Sequence, residues 1–420
     1  MSAPIDLTET EAVGGGARLA SEALRLPEFR ALWIGQAVSQ LGDGLTALAA
    51  LTLVNRLTGS TGAVATLAIV ITAPQLLLGL HAGVFVDRWD RKRVMIASDL
   101  VRGLLILGLV FVRDRGHLGW FYAIAFAQSA VGVFFEPAQA AVLPSTVPAR
   151  LLLAANGLTQ TTRLVAGIAG SAFAGLLLTT RGGAALAFTV DAVTFFTSAL
   201  FVARIRPRPS ALPARGSKVV ADLNEGLAYL FTRRSLVGIV LAFGISLLGV
   251  GAFNVLLVPF FMDVLRVSPF GVGILRGAEI AGMLAGGAIV SIFAARLRPT
   301  TLITVGLMVL ALSVAALAGV AWPWLAILPL FIGGFSAEAL QAGATTLLQR
   351  TVPDALRGRV ESALMTFLTI SLMVSMAGAG ILGDSIGIRR VFLLSGVLTL
   401  VGGAVAHAIL HEATDKDFQA

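Results

Sequence analysis

The chain has 420 residues, of which 57% are hydrophobic and 13% charged, and its formal net charge is +8. Soluble proteins carry about 25% charged residues, so this chain has too little polar surface for a soluble globule. The positive charges lie between apolar runs and not on one polar face, which argues against nucleic-acid binding. The sequence contains no Cys, which excludes disulfides, thiolate metal sites and Cys nucleophiles.

Twelve apolar runs follow a polar N-terminal segment. Residues 1–25 are acidic and Gly-rich, so we expect a loose tail and not a signal peptide. Runs of about 20 residues cross a bilayer as helices, because the bilayer offers no partner for open backbone groups. The sequence therefore predicts an all-α membrane protein with twelve transmembrane helices. The runs lie at about 30–55, 62–86, 94–112, 118–143, 152–179, 184–203, 236–262, 270–294, 300–320, 323–348, 360–383 and 391–410.

A Pro- and Arg-rich stretch from Arg204 to Arg215 separates the first six runs from the last six. Apolar residues then recur every four positions from Val219 to Phe231, which predicts an amphipathic helix at the membrane interface. We expect this helix to tether two six-helix halves. The predicted organisation is an N-terminal tail at 1–25, a first half at 26–204, a linker at 205–234, a second half at 235–411 and a tail at 412–420.

The two halves share short sequence matches at nearly one offset. Thr146-Val147-Pro148 recurs as Thr351-Val352-Pro353, 205 residues later, and the segment 39–44 resembles 246–251, 207 residues later. Coincidence in an Ala-, Gly- and Leu-rich sequence is the alternative. The agreement of the offsets favours two pseudo-symmetric halves, with a substrate site between them near the middle of the membrane.

The positive charges predict the orientation. If the N-terminus is inside, the inside segments hold 21 of the 31 Lys and Arg residues, the outside loops hold seven, and three lie within spans. Cytoplasmic loops carry such an excess. We therefore expect both termini in the cytoplasm. Arg far outnumbers Lys, which suggests a GC-rich bacterium, and the expected location is the bacterial cytoplasmic (inner) membrane.

A short basic loop joins the second and third runs. Asp87 lies at the end of a predicted helix, where the helix dipole disfavours an acid, so it needs hydrogen-bond donors from elsewhere. A loop that only sets the topology is the alternative. The residues of this loop motif are Gly83, Asp87, Arg88, Arg91, Lys92 and Arg93.

The spacing Gly-x-x-x-Asp-Arg-x-x-Arg-Lys-Arg in this loop resembles a signature of the major facilitator superfamily. The segments 134–138, 143–144 and 155–158 resemble its bacterial macrolide, multidrug and siderophore exporters. The resemblance implies a secondary transporter in which Asp87 meets the start of the eleventh helix, where Gly358 permits close approach. Two features depart from the pattern: Asp90 replaces a Gly, and the segment 167–175 lacks a Pro that accompanies antiport.

Ionisable residues inside spans are costly and mark functional sites. Asp99 and Arg102, and likewise Arg276 and Glu279, are three residues apart on one helix and can pair. Glu136 and Arg163 can bridge neighbouring helices. Structural neutralisation is the alternative for all three pairs. Asp43, Asp191 and Glu338 have no evident partner, although Asp43 lies between two glycines and could serve a cap or a kink. The candidates for proton coupling are Asp43, Glu136, Asp191 and Glu338.

The resemblance also implies that helices 1, 4, 7 and 10 line the substrate cavity. We expect an apolar, tolerant cavity that binds a hydrophobic or amphiphilic small molecule, exported by a monomer in the lipid bilayer. The proton gradient is the energy source, with no cofactor or metal. An uncoupled lipid or metabolite facilitator is the alternative; a membrane enzyme is remote, because catalytic motifs are missing. The residues nearest substrate are Gln36, Asp43, Gln128, Glu136, Asn254, Glu338 and Gln341.

Overall fold

The computed structural model describes residues 18–206, 219–293, 297–353 and 356–417, and no strand occurs within them. A helix at Val219–Leu230, here called the linker helix, lies where the apolar periodicity predicts one. Twelve longer helices carry the rest of the fold. They are α1 (Pro27–Thr58), α2 (Thr61–Arg88), α3 (Arg91–Leu109), α4 (Leu118–Thr146), α5 (Leu152–Leu177), α6 (Gly183–Arg204), α7 (Arg234–Pro259), α8 (Pro269–Phe293), α9 (Pro299–Ala318), α10 (Ile327–Thr351), α11 (Arg357–Ile386) and α12 (Ile388–Asp417).

Local signals in the sequence set several helix ends. Helix α1 has Pro27 in its first turn, where the missing N–H costs nothing. It ends at Gly59, whose φ of 60° suits a glycine. The Ser60 side chain then accepts a hydrogen bond from the N–H of Ala63 and caps α2. Asp90, which departs from the family pattern, accepts from the N–H of Arg93 at 3.1 Å and caps α3.

Ten helices in the described residues are long and apolar enough to cross a membrane. The other two long helices, α3 and α5, carry more polar residues. Helix α3 begins with Arg91-Lys92-Arg93 and continues with Asp99 and Arg102, while the first half of α5 contains three Thr residues, Gln160 and Arg163. Several of these polar side chains belong to the internal site described below.

The helices pack in two similar sets. In the first, α1 packs on α5 and α6, α3 packs on α4 and α6, and α2 packs on α4. In the second, α7 packs on α11 and α12, α9 packs on α10 and α12, and α8 packs on α10. The most extensive contacts between the sets are those of α2 with α11 and of α5 with α8. Each of these five pairings in the first set thus has a counterpart six helices later.

The linker helix packs on α11. The backbone of Gly226 lies so close to the Arg359 carbonyl that an added Cβ would come within 2.2 Å of its oxygen. Beside this contact, Arg359 Nη1 donates to Glu225 Oε2 at 2.5 Å. The linker helix is therefore attached to the second set of helices.

The helix bundle has two ends. We call the end that holds the start of α1 the termini end, and the opposite end the far end. At the termini end the backbone N–H of Arg206, after α6, donates to Glu28 Oε2 at 2.6 Å. The Lys92 ammonium, at the start of α3, donates to the carbonyl of Ala203 at 2.7 Å. These contacts tie the α2–α3 junction and the end of α6 together.

Candidate functional site

A cavity of about 530 Å³ lies among the first five helices. Its lining residues all come from α1–α5, with Leu143 and Asn156 near the termini end and Phe121 near the far end. Trp33 lies on its wall, with its indole N–H donating to Thr162 Oγ1 at 2.8 Å. Its polar lining includes seven carboxamides, namely Gln36, Gln40, Gln75, Gln128, Gln139, Asn156 and Gln160.

The structure places only some of the predicted lining residues at this cavity. Gln36, Asp43, Gln128 and Glu136 line it, whereas α7 and α10 contribute none of the lining residues identified among the described residues. Gln341 instead lies in a separate cavity of about 80 Å³. The reason is packing, because this region of the second set is filled by an apolar cluster around Phe243 and Leu368.

The other two predicted lining residues also lie elsewhere. Asn254 is half-buried on α7. Glu338 on α10 is half-buried and faces α8, where Gly287 leaves room for its side chain. The wall of the cavity is mixed, because amides and two ion pairs lie among its apolar residues.

The ion pairing of Asp43 corrects two predictions. Asp43 is not alone, since Arg102 Nη2 donates to its Oδ1 at 2.8 Å. Arg102 therefore pairs across to α1 and not with Asp99 on its own helix. Its guanidinium also lies 4.2 Å from the ring centroid of Phe195, a cation–π contact. Helix α1 continues through Asp43, so Asp43 does not cap a helix end.

Asp191 and Asp99 lie behind this pair, and both are fully buried. Asp191 has partners, contrary to prediction, because Thr46 Oγ1 donates to its Oδ2 at 2.5 Å and Thr194 Oγ1 to its Oδ1 at 3.1 Å. Gly42 makes this approach possible, since a Cβ there would lie 2.2 Å from Asp191 Oδ1. Neither oxygen of Asp99 accepts a hydrogen bond from a described residue.

These residues form what we call the acid cluster: Asp43, Asp99 and Asp191 with Arg102. Buried charges are stable only when they are paired. One guanidinium balances one carboxylate, so the cluster is electrically neutral when it carries two protons. Asp43 connects the cluster to the cavity, because its side chain is 30% exposed there.

The two other predicted pairs are present. Arg163 Nη1 lies 3.7 Å from Glu136 Oε1, and these side chains are 55% and 73% exposed. Both line the cavity, so their exposure marks its opening. Arg276 Nη1 lies 2.9 Å from Glu279 Oε2 on α8, away from the cavity.

The basic loop is described only in part. The side chain of Asp87 lies outside the described residues, so the predicted contact with α11 stays a prediction. Arg88 is exposed, Arg91 is half-buried, and Arg93 lies 3.6 Å from Asp90. Among the described residues, an added Cβ at Gly83 or Gly358 would meet no atom within 4 Å. The close approach at Gly358 is therefore not made by a described residue.

The far end contains a contact that the sequence reasoning missed. Asp384, near the end of α11, caps the start of α2 across the interface between the sets. Its Oδ1 accepts from the N–H of Thr61 at 2.8 Å, and its Oδ2 accepts from the N–H of Gly62 at 3.2 Å and from Ser60 Oγ at 2.7 Å. The only signal in sequence is an acid three residues before Gly387, at the end of a span.

A second bridge closes the same end. Asn55 Nδ2, near the end of α1, donates to Asp263 Oδ2 beyond α7 at 2.9 Å. Nearby, Gly175 of α5 lies against the backbone of Pro269 and Phe270 at the start of α8. The far end is thus sealed, whereas the exposed Glu136 and Arg163 mark an opening toward the termini end.

Comparison with solved structures identifies the fold. A bacterial homologue of the human lysosomal transporter Spinster, in an inward-facing and unoccupied conformation, superposes with a TM-score of 0.73 at 14% identity, covering 94% of this chain and 98% of that one. The nucleoside transporter NupG gives a TM-score of 0.77 at 12% identity, covering 91% and 99%.

Sequence comparison narrows the family. Macrolide efflux protein A of Streptococcus pyogenes is 25% identical over 378 residues, covering 89% of this chain and 93% of that protein. The multidrug efflux pump Tap of Mycolicibacterium fortuitum is 28% identical over 391 residues, covering 87% and 91%. The putative bacilysin exporter BacE of Bacillus subtilis is 34% identical over 182 residues, covering 43% and 44%.

The model of one family matches nearly the whole chain. Its description is transmembrane secretion effector, and it matches residues 20–420. The resemblance drawn from the basic loop and the segments after it is thereby confirmed. The chain belongs to the transmembrane secretion effector family of major facilitator transporters, which are multi-pass membrane proteins and not enzymes.

Proposed function

We propose that this protein exports a small molecule across a bacterial cytoplasmic membrane in exchange for protons. The observation that carries the proposal is the cavity of α1–α5, which opens at one end of the bundle and contacts a buried acid cluster through Asp43. A transporter needs a site for its cargo, and an antiporter needs a titratable group that the cargo can influence.

The proposal includes twelve spans in two six-helix halves. Its support is the recurrence of five helix pairings six helices later, together with the two reciprocal contacts α2–α11 and α5–α8. Parallel halves of this kind place the substrate site between them near the middle of the membrane. The polar residues that lower the apolar character of α3 and α5 include Arg102, Gln160 and Arg163, which line the cavity and therefore avoid lipid.

We assign the termini end of the bundle to the cytoplasmic side of the membrane. The excess of Lys and Arg in the segments at that end supports it, and the chain then stands open to the cytoplasm and sealed outside. Export requires the opposite state, in which the Asp384 cap breaks and the termini ends of α2 and α11 meet. Asp87 and Gly358 lie at those two helix ends, where a contact between them would hold the cytoplasmic side closed.

The orientation has a direct test, because the chain contains no Cys. A single Cys at Thr58 or Gly116 should react with an impermeant maleimide on intact cells. A Cys at Ser210 should react only after lysis. Labelling of the Ser210 position in intact cells would reverse the assigned orientation and, with it, the assigned state of the structure.

Proton coupling rests on the charge balance of the acid cluster. Arg102 can balance only one of the three carboxylates, and Asp43 is the one that faces the cavity. Cargo that engages Asp43 or Arg102 changes the field at Asp191 and Asp99 and so changes how many protons the cluster holds. Binding of cargo and proton are then linked and reciprocal.

Efflux is supported by the relatives, which are named for export of macrolides, multiple drugs and bacilysin. The test uses inside-out vesicles that contain the protein and a panel of these compounds. An imposed pH gradient should drive uptake into the vesicles, and addition of substrate should release protons. Transport that ignores the pH gradient would favour the alternative, an uncoupled facilitator for lipids or metabolites.

A further inference from the structure

Seven carboxamides of the first six helices converge on one cavity. Six of the nine Gln residues in the chain line the cavity of α1–α5, together with Asn156. Burying an amide without a partner is costly, and 57% of the chain is hydrophobic. A concentration of seven carboxamides at one cavity therefore needs an explanation.

Structural cross-linking is the ordinary explanation for amides in membrane helices, since Asn and Gln side chains hydrogen-bond neighbouring helices. That explanation does not fit here. None of these seven side chains makes a hydrogen bond to any described residue. Gln36 is 5% exposed, and its buried Nε2 has no partner. The amides are placed to bind something that the cavity receives.

Their positions surround that ligand. Gln36 and Gln40 lie one turn apart on α1, as do Asn156 and Gln160 on α5, so each pair shares a face. Gln75 approaches from α2, and the two Gln residues of α4 are eleven positions apart, or about 16 Å along the helix. A ligand in the cavity meets amide groups from four helices over this depth.

The charges of the lining are balanced. Each acid that lines the cavity has a basic partner that also lines it, Asp43 with Arg102 and Glu136 with Arg163. No lining carboxylate is left over to attract a cation. Apolar walls are also present, for example Trp33, Ile106 and Phe121, and the volume of about 530 Å³ is typical of sites for drug-sized ligands.

We propose that the cavity selects uncharged solutes rich in hydrogen-bonding groups, with hydroxyl or amide functions and an apolar portion, over lipophilic cations. Each carboxamide both donates and accepts hydrogen bonds, so it matches hydroxyl and amide groups equally. Glycosides and peptide-like compounds share this chemistry. This inference rests on the proposed function, because it assigns the cavity to the exported cargo.

Equilibrium binding, measured without a pH gradient, tests the proposed selectivity. The full-length protein in lipid nanodiscs is mixed with three coumarin-labelled probes of similar size: an aryl glycoside, a tripeptide blocked at both ends and a triphenylphosphonium cation. Equilibrium dialysis gives each Kd. At least one neutral probe should bind ten times tighter than the phosphonium, and the tighter of the two identifies the class. A phosphonium that binds as tightly as both neutral probes would overturn the inference.

Substitutions locate the effect. Losing a neutral hydrogen bond weakens binding roughly fivefold, so Gln36→Leu combined with Gln160→Leu should weaken the neutral probe about 25-fold and leave the phosphonium within twofold. The matched control is Gln341→Leu with Gln349→Leu, which alters the small cavity of the second set. Equal losses in both double variants would defeat the inference. If the first pair does not fold, Gln40→Leu with Gln139→Leu replaces it, with the same expectation.

The outcomes separate this inference from the proposed function. Selective binding of a neutral probe without gradient-driven transport would reject the antiporter and keep the selectivity. Transport of the phosphonium in preference to the neutral probes would reject the selectivity and keep the exporter.

Discussion

The first and second sets of six helices pack alike but are filled differently. Around the cavity of the first set, α1 contributes Gln36, Gln40 and Asp43. At the repeat offset of 207 residues, α7 carries Phe243, Leu247 and Val250 instead. In α5 the lining residues Gln160 and Arg163 have Met365 and Leu368 as their counterparts at an offset of 205.

The consequence is visible in the two interiors. Phe243 and Leu368 belong to a buried apolar cluster that also contains Leu340, Leu347 and Leu364, and only about 80 Å³ stays open beside it. The first set keeps about 530 Å³ open at a wall that combines polar and apolar residues. One helix arrangement thus supports both an open interior and a packed one, and the difference lies in side-chain size and polarity.

The largest expected effect comes from Asp43→Asn, which removes the charge that Arg102 balances in the first set. Gradient-driven accumulation in inside-out vesicles should fall at least tenfold, to the level of empty vesicles, while downhill exchange continues, because Asn keeps the size and hydrogen bonding of Asp. The matched control is Glu279→Gln, which removes the acid of the Arg276 pair outside the cavity. Comparable loss of accumulation in the control would erase the distinction between the two sets.

Gly42→Ala should have the next largest effect on transport and stability, because the acid cluster of the first set depends on how closely α1 approaches Asp191. The new Cβ would lie 2.1 Å from Thr194 Oγ1 and 2.2 Å from Asp191 Oδ1, and overpacking of this kind costs about 1–3 kcal/mol. The thermal midpoint in nanodiscs should drop together with coupled transport.

Gly157→Ala is its control, since a Cβ there would meet no atom within 4 Å. That variant should keep the midpoint and the transport of the parent protein. A stable, fully coupled Gly42→Ala variant would show that the contact between α1 and Asp191 tolerates expansion and does not hold the cluster in place.

Substitutions at the far end, where Asp384 and Asp263 join the two sets, should have weaker effects. Asp384→Ala removes the cap on α2, and loss of a capping side chain costs about 1 kcal/mol, or roughly a fivefold shift in population toward the state open at the far end. In a variant with two Cys residues, at Thr66 of α2 and Ser385 of α11, the distance between the two spin labels should shift to longer values. Asp263→Ala, which removes one hydrogen bond to Asn55, should shift it less. Identical distributions in all three proteins would assign the seal to helix packing alone.

Much of this organisation could be predicted from the sequence, for identifiable reasons. Apolar runs and charged junctions are local signals, so the helices, the linker helix and the family follow from them. Pairs three residues apart are also local, and Arg276–Glu279 forms as predicted. Arg102 shows where such reasoning stops, because Asp99 is as near in sequence as a partner can be, yet the guanidinium reaches Asp43 on another helix.

The polar cavity shows the same limit. The Gln residues that form it are scattered over more than 120 positions, and only the packing of α1, α2, α4 and α5 brings them together. The cap by Asp384 joins positions more than 320 residues apart. Neither arrangement has a period or a spacing that a single sequence displays, since both depend on which helix faces meet.

The smallest expected effect concerns a feature that both sets share at the termini end. Glu22, before α1, pairs with Arg150 after α4, and Glu225 of the linker helix pairs with Arg359 at the start of α11. All four side chains are at least 39% exposed, and exposed pairs contribute little to stability. The double variant Glu22→Gln with Glu225→Gln should keep transport within about twofold of the parent protein.

The pH dependence of this pair supports the same expectation. The hydrogen bond from Arg150 lowers the pKa of Glu22 below its usual value, so whatever the pair contributes is complete above that usual value and is lost only as pH falls through the lowered one. Between pH 6 and 8 the pair is therefore constant, and any pH dependence of transport there must come from elsewhere. A transport profile over pH 6–8 should be the same in the parent protein and the double variant. A displaced profile in the double variant would assign the pH response to these exposed ion pairs and not to the acid cluster of the first set.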